Sequence, residues 1–585
     1  MHIFLLRKDR ATTTSHRQRE SNIFRIHCAG KPPLSLCYRN CTMSSLLFEH
    51  FTRYSTSRWS HRLSVFLGVS IGSIAYQSRM TEKGLGDAFH FGEYFVGELN
   101  VVHPLGNRTP LLIHGLMNVI PASISRAVFG GSSYFFPTWL SFRILEVVAA
   151  LLFTAIAVSL RKDSKPSRFY LFTIALLGSL VVGYREILLL LSLFFLVKLW
   201  HGRRGYRDIL TTIALVITLW FGMFWSWNRG IVAVAAVGIG FLLTIQSRFL
   251  RLLGVGVGLA SLFMGSFISP LTSPSFLLEN ISFFTATSGK WRYPLTNTRG
   301  LLIFMAIYLI MSAIALVHLL HSSTSKKRVI GEAWVFLVLI GGASTWAINR
   351  LDAAHFLPML FPVLLLVLRV SGEVGIKKSQ FRTILGLQIL YVVGSAALFF
   401  KFLQPTISGF ALLSVLVTTA ARPTHWTRFI RFLSGSSLIF LLLILLTFGN
   451  QPQLTWLTHI RNLPTNQEVS PNWVVDASKE LKAQRIHCVL DLTNSGLVNG
   501  LLNLPTCTRV AYLAYASDSY QDELINQVNE NKPRAILWST QPGLSASVID
   551  GRTIVSEFPK FAQYLFESFP VIQCYENFCL RLSNR

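Results

Sequence analysis

The sequence predicts a polytopic α-helical membrane protein of about 13 transmembrane helices, N-terminus in, with a small C-terminal α/β extracytoplasmic domain. Three observations lead to this prediction. The chain is 51% hydrophobic and only 14% charged, whereas soluble domains carry roughly 25% charged residues. Apolar runs recur along most of its length, and basic residues concentrate in alternate loops. Composition therefore places most of this chain in a membrane.

The apolar runs give the number of spans. A helix needs about 20 mostly apolar residues to cross ~30 Å of hydrocarbon. The runs that reach or approach this length lie at 63–78, 138–160, 169–183, 187–200, 209–227, 231–246, 252–269, 300–320, 332–348, 356–370, 383–400, 406–421 and 432–449. The shortest are 63–78, 187–200, 356–370 and 406–421.

The charge of the loops predicts how the spans are oriented across the membrane. The loops predicted on one side are 161–168, 201–208, 247–251, 321–331, 369–382 and 422–431, and they hold 19 Lys and Arg in fewer than 60 residues. The opposite loops hold 11 in about 110 residues. Cytoplasmic loops of membrane proteins carry this excess of positive charge. The pattern places the N-terminus in the cytoplasm, and 13 spans would then export the C-terminal domain.

Three segments follow from this reading. Residues 1–62 carry 11 Lys and Arg against three Asp and Glu, which predicts a disordered cytoplasmic tail without a cleaved secretion signal. Met43 is an alternative start within it. Residues 63–450 form the predicted transmembrane domain, whose first outer loop is 79–137. Residues 451–585 form the predicted extracytoplasmic domain.

The basic balance of the chain, +27 at pH 7, could be an electrostatic footprint for nucleic acid. Its concentration in cytoplasmic loops explains it better, so no nucleic-acid partner is expected. Cys488, Cys507, Cys574 and Cys579 lie in the last hundred residues. They allow two disulfides in an oxidising compartment or four buried thiols, and the sequence leaves both open.

The C-terminal segment alternates strand and helix patterns. RIHCVLDL, TRVAYLAYA, RAILWS and NFCLRL are typical of strands, and GLVNGLLNL, YQDELINQVNENKP and EFPKFAQYLFESF of helices. Such alternation predicts a small α/β sheet domain. It contains no GxGxxG or P-loop motif for a nucleotide.

Polar residues collect in five predicted outer turns. They are GDAFHFGEYFVGE with PLLIHG, GYRE, WNRG, TSGKWRYP and AINRLDAAH. Ionisable residues at membrane depth are costly and usually functional or paired. One hypothesis is a common cleft roofed by the exported domain. The alternative is that pairs such as Arg185–Glu186 or Arg350–Asp352 only anchor the ends of spans.

The first outer loop is the most informative turn. Asp87, His90 and Glu93 recur every three residues, so on a helix they share a face. A carboxylate there could act as general base toward an acceptor hydroxyl. Asp87 and His90 could instead hold a divalent cation on a phosphate leaving group. These three residues are the catalytic candidates.

Arginine is the natural partner of a phosphate, because its guanidinium donates two parallel hydrogen bonds. The outer turns supply arginines, an acid and two histidines as candidates for binding substrate or lipid phosphate. They are Arg185, Arg229, Arg292, Arg350, Asp352, His355 and His114.

In the order and side of its motifs the chain resembles the GT-C class of membrane glycosyltransferases, which use polyprenyl-phosphate-linked sugars. The motifs are DAFHFGE at 87–93, GNRTP at 106–110, HG at 114–115, WNRG at 227–230, NRLDAAH at 349–355 and VLDLTNSGLVNGLLNLPTCTRVAY at 489–512. The resemblance spans roughly residues 63–585 and is loose between the motifs. It is closer to a mostly uncharacterised bacterial branch.

The resemblance implies an inverting transfer on the extracytoplasmic face of a bacterial plasma membrane. It implies Asp87 as the base, with Glu93 as second choice, and Arg350 with His355 on the phosphate side. Similar proteins often read His-Glu-Gly-Glu where this chain reads His90-Phe91-Gly92-Glu93. The missing carboxylate counts against a two-acid or metal-assisted mechanism, and it also admits a non-catalytic member.

The partners expected from this reading are a polyprenyl-phosphate-linked sugar donor, a glycan, lipid or protein acceptor, and the bilayer. Two other functions compete with it. Broken spans with internal charges can line the path of a transporter or lipid flippase. Against this, the halves show no internal repeat, and runs such as 187–197 hold almost no polar residue. A membrane assembly protein with an exported domain is the third hypothesis.

Overall fold

The structure, a computed structural model, is mostly helical. It describes residues 59–77, 88–105, 109–161, 166–202, 205–287, 299–321, 326–349, 353–371, 378–397, 403–419, 425–448, 455–510, 512–513, 516–540, 547–549 and 552–584. Residues 1–58 of the predicted tail, including Met43, lie outside these residues, as does Asp87, whereas tail residues 59–62 belong to the helix that begins at Trp59.

The first half of the chain builds long apolar helices separated by short turns. Its helices are α1 (Trp59–Gln77), α2 (Ala88–Val102), α3 (Ile120–Phe129), α4 (Phe135–Leu160), α5 (Arg168–Val181), α6 (Ile187–Trp200), α7 (Tyr206–Trp225), α8 (Trp227–Ala233), α9 (Ile239–Thr244), α10 (Arg248–Ile268) and α11 (Pro274–Thr287). A π-helical turn, Val234–Gly238, joins α8 to α9. Short 3₁₀ turns form at Leu116–Asn118, Tyr184–Glu186 and Pro270–Thr272.

The middle of the chain continues in the same way. Its helices are α12 (Arg299–His321), α13 (Lys326–Asn349), α14 (Ala353–Ser371), α15 (Lys378–Ala397), α16 (Leu403–Thr419) and α17 (His425–Phe448). Helix α14 contains Pro358 and Pro362, which helices in a membrane bundle tolerate because neighbouring groups satisfy the freed carbonyls. Buried Leu, Ile, Val and Phe side chains from α4 to α17 form one continuous apolar core.

Six helices in the described ranges are long and apolar enough to cross a membrane, which agrees with a membrane location. They are Phe135–Leu160, Tyr206–Trp225, Trp227–Thr244, Arg248–Ile268, Leu301–His321 and Lys327–Ile348. Helices Arg168–Val181 and Tyr184–Trp200 are long and apolar enough to cross a membrane only when taken together, and they are bent by 96° at the GYRE turn. Shorter apolar helices cover other predicted runs, so the number 13 stays a prediction.

The C-terminal segment combines short helices with a small antiparallel sheet. Its helices are α18 (Thr455–Arg461), α19 (Asn472–Ala483), α20 (Leu497–Leu502), α21 (Gln521–Asn531), α22 (Ile554–Glu557) and α23 (Pro559–Ser568). Its strands are β1 (Ala535–Ser539), β2 (Ser547–Ile549), β3 (Arg552–Thr553), β4 (Val571–Cys574) and β5 (Cys579–Leu582). One sheet has the order β1-β5-β4, and β2 pairs with β3.

Two predicted strands of this segment are wrong as regular strands. RIHCVLDL forms only isolated parallel bridges, Val489 to Thr506 and Asp491 to Leu537. In the described part of TRVAYLAYA, Val510 bridges to Leu111 of the first outer loop. The described apolar residues of these segments are buried by packing between the C-terminal segment and α2 rather than by pairing in a regular sheet.

Candidate functional site

Helix α2 is the centre of the candidate site. Its residues from Gly92 to Asn100 are all buried, because it is covered by the C-terminal segment, by the 3₁₀ turn at 116–118 and by α4. Two glycines allow this close packing. The backbone of Ser495 lies against Gly92, and the carbonyl of Asn118 lies against Gly97. His90 and Glu93 both lie in α2, the secondary structure on which their spacing would place them on one face.

The segment after α2 is pinned at several points. Leu111 pairs with Val510, and the amide of Leu112 donates to Asn280 Oδ1 at 2.7 Å. The Trp227 indole donates to the Leu112 carbonyl at 2.5 Å. Gly115 adopts φ +92 with its Cα against the carbonyls that end α7, a conformation that suits glycine. These bonds fix the position of His114.

His114 meets α2 at Glu93. The His114 Nε2 atom lies 3.5 Å from Glu93 Oε2, and the Asn118 amide donates to the same oxygen at 3.4 Å. The Glu93 side chain is 2% exposed and the His114 side chain 16%. The structure therefore places Glu93 behind His114, so the imidazole is the more accessible member of the pair.

Arg185 lies in the 96° bend between α5 and α6, on the same side of α2. The hydroxyls of Tyr94 and Tyr184 are hydrogen-bonded to each other, and the Arg185 guanidinium interacts electrostatically with both tyrosines and with Glu93. Burial, followed by Tyr184, raises the pKa of Tyr94. The Tyr94 phenol thus stays protonated. Within the described ranges no carboxylate oxygen forms an ion pair with Arg185.

Glu186 and Arg229 form a separate buried pair beside Arg185. The Arg229 Nε atom lies 2.9 Å from Glu186 Oε1, and their side chains are 9% and 3% exposed. The guanidinium carbon of Arg229 also lies 3.9 Å from the centre of the Trp346 ring. Glu186 accepts a second hydrogen bond, at 3.0 Å, from the Gly183 amide. Arg229 therefore joins α8 to the bend and to α13.

Nearby acids and a second network were missed by the sequence interpretation. Glu146 of α4 is buried, pairs with Arg143 at 2.9 Å and interacts with Glu186. Its position inside an apolar run was a signal that could have identified it. Glu98 pairs with Arg126 at 2.9 Å, and burial raises its pKa against the opposing effect of that arginine. Tyr94, Tyr184 and Asn118 gave no such signal.

The C-terminal segment covers this group of side chains. Asn466 accepts from the Phe135 amide at 3.0 Å at the start of α4. Arg126 of α3 hydrogen-bonds Asn503. Arg509 donates to the Thr109 carbonyl at 2.8 Å and pairs with Glu279 of α11. Polar contacts thus connect the C-terminal segment to first-loop residues, to the start of α4 and to the middle of α11.

Of the predicted site residues, the structure brings together Glu93, His114, Arg185 and Arg229. The backbone of His90 lies in α2 and that of His355 in α14, but their side chains lie outside the description, as do Asp87, Arg292, Arg350 and Asp352. In the described part of the chain no three His, Cys, Asp or Glu side chains group as metal ligands. The Asp87 and His90 metal hypothesis is therefore not tested.

No family model matches the sequence, and no curated protein matches it either. Solved structures do match. ArnT from Cupriavidus metallidurans in the apo state matches at 11% identity and a TM-score of 0.43, over 89% of this chain and 97% of that one. The same protein bound to undecaprenyl phosphate matches at 9% and 0.37, over 80% and 86%.

A second protein matches over a similar range. The archaeal oligosaccharyltransferase AglB from Archaeoglobus fulgidus, in complex with an inhibitory peptide and a dolichol-phosphate, matches at 12% identity and a TM-score of 0.40, over 82% of this chain and 69% of that one. ArnT and AglB are GT-C glycosyltransferases that depend on polyprenyl-phosphate-linked sugars, the class that the sequence motifs resemble.

Proposed function

We propose that this chain is a membrane glycosyltransferase that moves a sugar from a polyprenyl-phosphate-linked donor to an envelope acceptor on the extracytoplasmic face. The acceptor is a glycan, a lipid or a protein. The transfer inverts the anomeric carbon, and a first-loop carboxylate is the base. The observation that carries the proposal is the junction of Glu93, His114 and Arg185 beneath the C-terminal segment.

The proposed topology has about 13 spans, the tail 1–62 in the cytoplasm, the transmembrane domain 63–450 and the exported domain 451–585. The basic loops support this sidedness. The pairing of Cys488 with Cys507 and of Cys574 with Cys579 supports it as well, because disulfides persist in oxidising compartments. The membrane would be a bacterial plasma membrane.

The proposed reaction needs a base for the acceptor hydroxyl and stabilisation of the phosphate leaving group. The base, Asp87 as first choice and Glu93 as second, takes the proton of the acceptor hydroxyl. The hydroxyl oxygen then attacks the anomeric carbon, and the bond to the phosphate oxygen breaks with its electron pair. Polyprenyl phosphate leaves as an anion. A divalent cation at Asp87 and His90 would stabilise the same leaving group.

The described contacts rank the phosphate ligands. Arg229 forms an ion pair with Glu186 and stacks on Trp346. Its positive charge is therefore balanced within the protein. Arg185 forms no such ion pair with a described carboxylate. Arg185 is therefore the first phosphate ligand of this proposal, with His114 beside it, and Arg229 holds the bend in place. Arg292, Arg350, Asp352 and His355 remain candidates from the sequence.

Replacing Asp87 by Asn should abolish sugar transfer and leave the protein folded, because the amide keeps the shape of the carboxylate and cannot take a proton. The measurement is transfer of a radiolabelled hexose or pentose from its polyprenyl phosphate to envelope material. Asp522→Asn, at a side chain that is 76% exposed, is the matched control. If Asp87→Asn kept its activity and Glu93→Gln lost it, the base would be Glu93.

Replacing Arg185 by Ala should weaken binding of a polyprenyl phosphate by about tenfold or more, since a hydrogen bond to a charged group contributes ~1.5–3 kcal/mol. Binding of radiolabelled polyprenyl phosphate to detergent-solubilised protein measures it. Arg207→Ala, at an exposed position, is the control. Equal binding by wild type and Arg185→Ala would remove Arg185 from the phosphate site.

The competing functions predict different results. A transporter or flippase would move the lipid-linked sugar across a vesicle without releasing polyprenyl phosphate, and an assembly protein would do neither. Release of free polyprenyl phosphate by purified protein in the presence of envelope acceptor supports the transferase. Its absence with all three donor classes (hexose, pentose and acetamido sugar) would contradict the proposal.

A further inference from the structure

The C-terminal segment packs along α2, and two of its contacts, which we call the grips, lie at Gly92 and Asn100. These residues are eight apart, about 12 Å along a helix axis. Glu93 lies beside the first point, and the helix begins one residue after Asp87. The position of Glu93 therefore depends on where these two contacts hold the helix.

The first contact is the loop from Asp491 to Gly496. Asp491 is buried and accepts from the amides of Thr493 at 2.8 Å and Gly496 at 3.0 Å. The Tyr512 hydroxyl donates to the Ser495 carbonyl at 3.0 Å. This closed loop places the Ser495 backbone directly on Gly92, where no side chain separates the two.

The second contact is a reciprocal hydrogen-bonded pair. The Thr506 amide donates to Asn100 Oδ1 at 2.9 Å, and Asn100 Nδ2 donates to Thr506 Oγ1 at 2.8 Å. Asn100 is 6% exposed and Thr506 is 3% exposed. A buried amide that bonds in both directions fixes the angle of the helix at this end.

One disulfide connects the two contacts. Cys507 follows Thr506, and Cys488 lies three residues before Asp491. Their Cα atoms are 5.0 Å apart and both side chains are fully buried. The chains on either side pair as well, since the Val489 amide donates to the Pro505 carbonyl at 2.9 Å and the Cys507 amide to the Val489 carbonyl at 3.2 Å.

The other disulfide is a natural control. Cys574 and Cys579 join the neighbouring strands β4 and β5. Cys574 lies on the exposed edge of the sheet. The two disulfides thus differ in what they hold: one joins the grips on α2 and the other closes a hairpin.

We propose that Cys488 and Cys507 are positioning residues whose disulfide holds both grips on α2 and thereby orients the first-loop base. The base itself rests on the proposed function, whereas the effect on α2 does not. Closing the bond removes two protons and two electrons from the thiols, which a disulfide oxidant of the compartment accepts. The chain would become competent only after this oxidation.

Hydrogen exchange of the intact chain in detergent tests the proposal. In C488A/C507A the amides of residues 92–100 should exchange at least about tenfold faster than in wild type, which corresponds to ~1.4 kcal/mol. C574A/C579A should leave these amides unchanged, and α5 should be unchanged in both variants. Equal exchange of residues 92–100 in both double variants would overturn the proposal.

A second variant covers the case in which C488A/C507A fails to fold. N100A/T506V keeps both disulfides and removes one grip, so the exchange of residues 96–102 should accelerate while that of α5 stays unchanged. Unchanged exchange in this variant would overturn the proposal as well.

Turnover separates this inference from the proposed function. If the base is displaced, kcat of C488A/C507A should fall, whether or not KM for the lipid-linked donor also changes, because Arg185 and His114 both interact with Glu93 of α2. If KM for the lipid-linked donor changed and kcat did not, the positioning role would be overturned. Suppose that the amides of α2 exchange faster in C488A/C507A but that the wild-type protein transfers no sugar. The proposed function would then be contradicted, while the role of the disulfide in holding both grips on α2 would remain supported.

Discussion

Replacing Gly92 by Ala should detach the C-terminal segment from α2 and abolish any activity of the site. An added Cβ would overlap the Ser495 carbonyl, which belongs to the backbone of a closed loop and cannot rotate away. Overpacking of this kind costs about 1–3 kcal/mol and occasionally more. Loss of the thermal unfolding transition, or a fall in its midpoint, measures the effect.

Gly131→Ala is the matched control for this change. Its added Cβ would meet only the end of the Arg126 side chain at 3.7 Å, which is ordinary contact, so the unfolding midpoint should stay within about one degree of wild type on the scale of surface substitutions. If Gly92→Ala were as stable as Gly131→Ala, the packing of the loop on α2 would be wrong.

Replacing Arg229 by Met should be at least as damaging. It leaves Glu186 buried without its partner, and breaking a buried ion pair in this way costs about 3–5 kcal/mol. Removing both charges in E186Q/R229M should recover most of that loss, since apolar or neutral replacements of whole pairs are often tolerated. Unfolding of the single and double variants, combined as a double-mutant cycle, gives the coupling free energy.

Arg185→Ala provides the contrast. Because Arg185 forms no ion pair with a described carboxylate, this variant should lose phosphate binding with a much smaller loss of stability than Arg229→Met. A coupling near zero between Glu186 and Arg229, or a loss of stability in Arg185→Ala as large as in Arg229→Met, would contradict the division of roles between these arginines.

The positions of many helices could be predicted from short stretches of sequence. Apolar runs predicted helices at the positions where α4 to α10 form, because lipid or a buried core demands apolar side chains along the whole run. The spacing of Asp87, His90 and Glu93 predicted a shared face only if the segment were helical, and α2 contains His90 and Glu93. The break at GYRE was visible as a polar interruption, although its 96° bend was not.

Contacts between residues far apart in the sequence could not be predicted from short stretches of it. Sequence adjacency suggested Arg185 as the partner of Glu186, whereas Glu186 pairs with Arg229, which lies 43 residues later. Four cysteines allow three connectivities, and the observed one joins Cys488 to Cys507 because Val489 and Thr506 pair side by side. Likewise, TRVAYLAYA looked like a sheet strand, whereas in its described part Val510 forms an isolated bridge to Leu111 of the first loop.

The sequence by itself determined that most of this chain is apolar enough for a membrane and that its basic residues concentrate in alternate loops, because both properties are sums over many residues and tolerate local error. It also supplied the polar candidates. Only the tertiary structure decided which of them meet: that Glu93 lies behind His114, that Glu186 pairs with Arg229, and that one disulfide joins two segments of chain that contact α2. These relations depend on distances between residues far apart in the chain, and such distances are set by packing rather than by any local pattern.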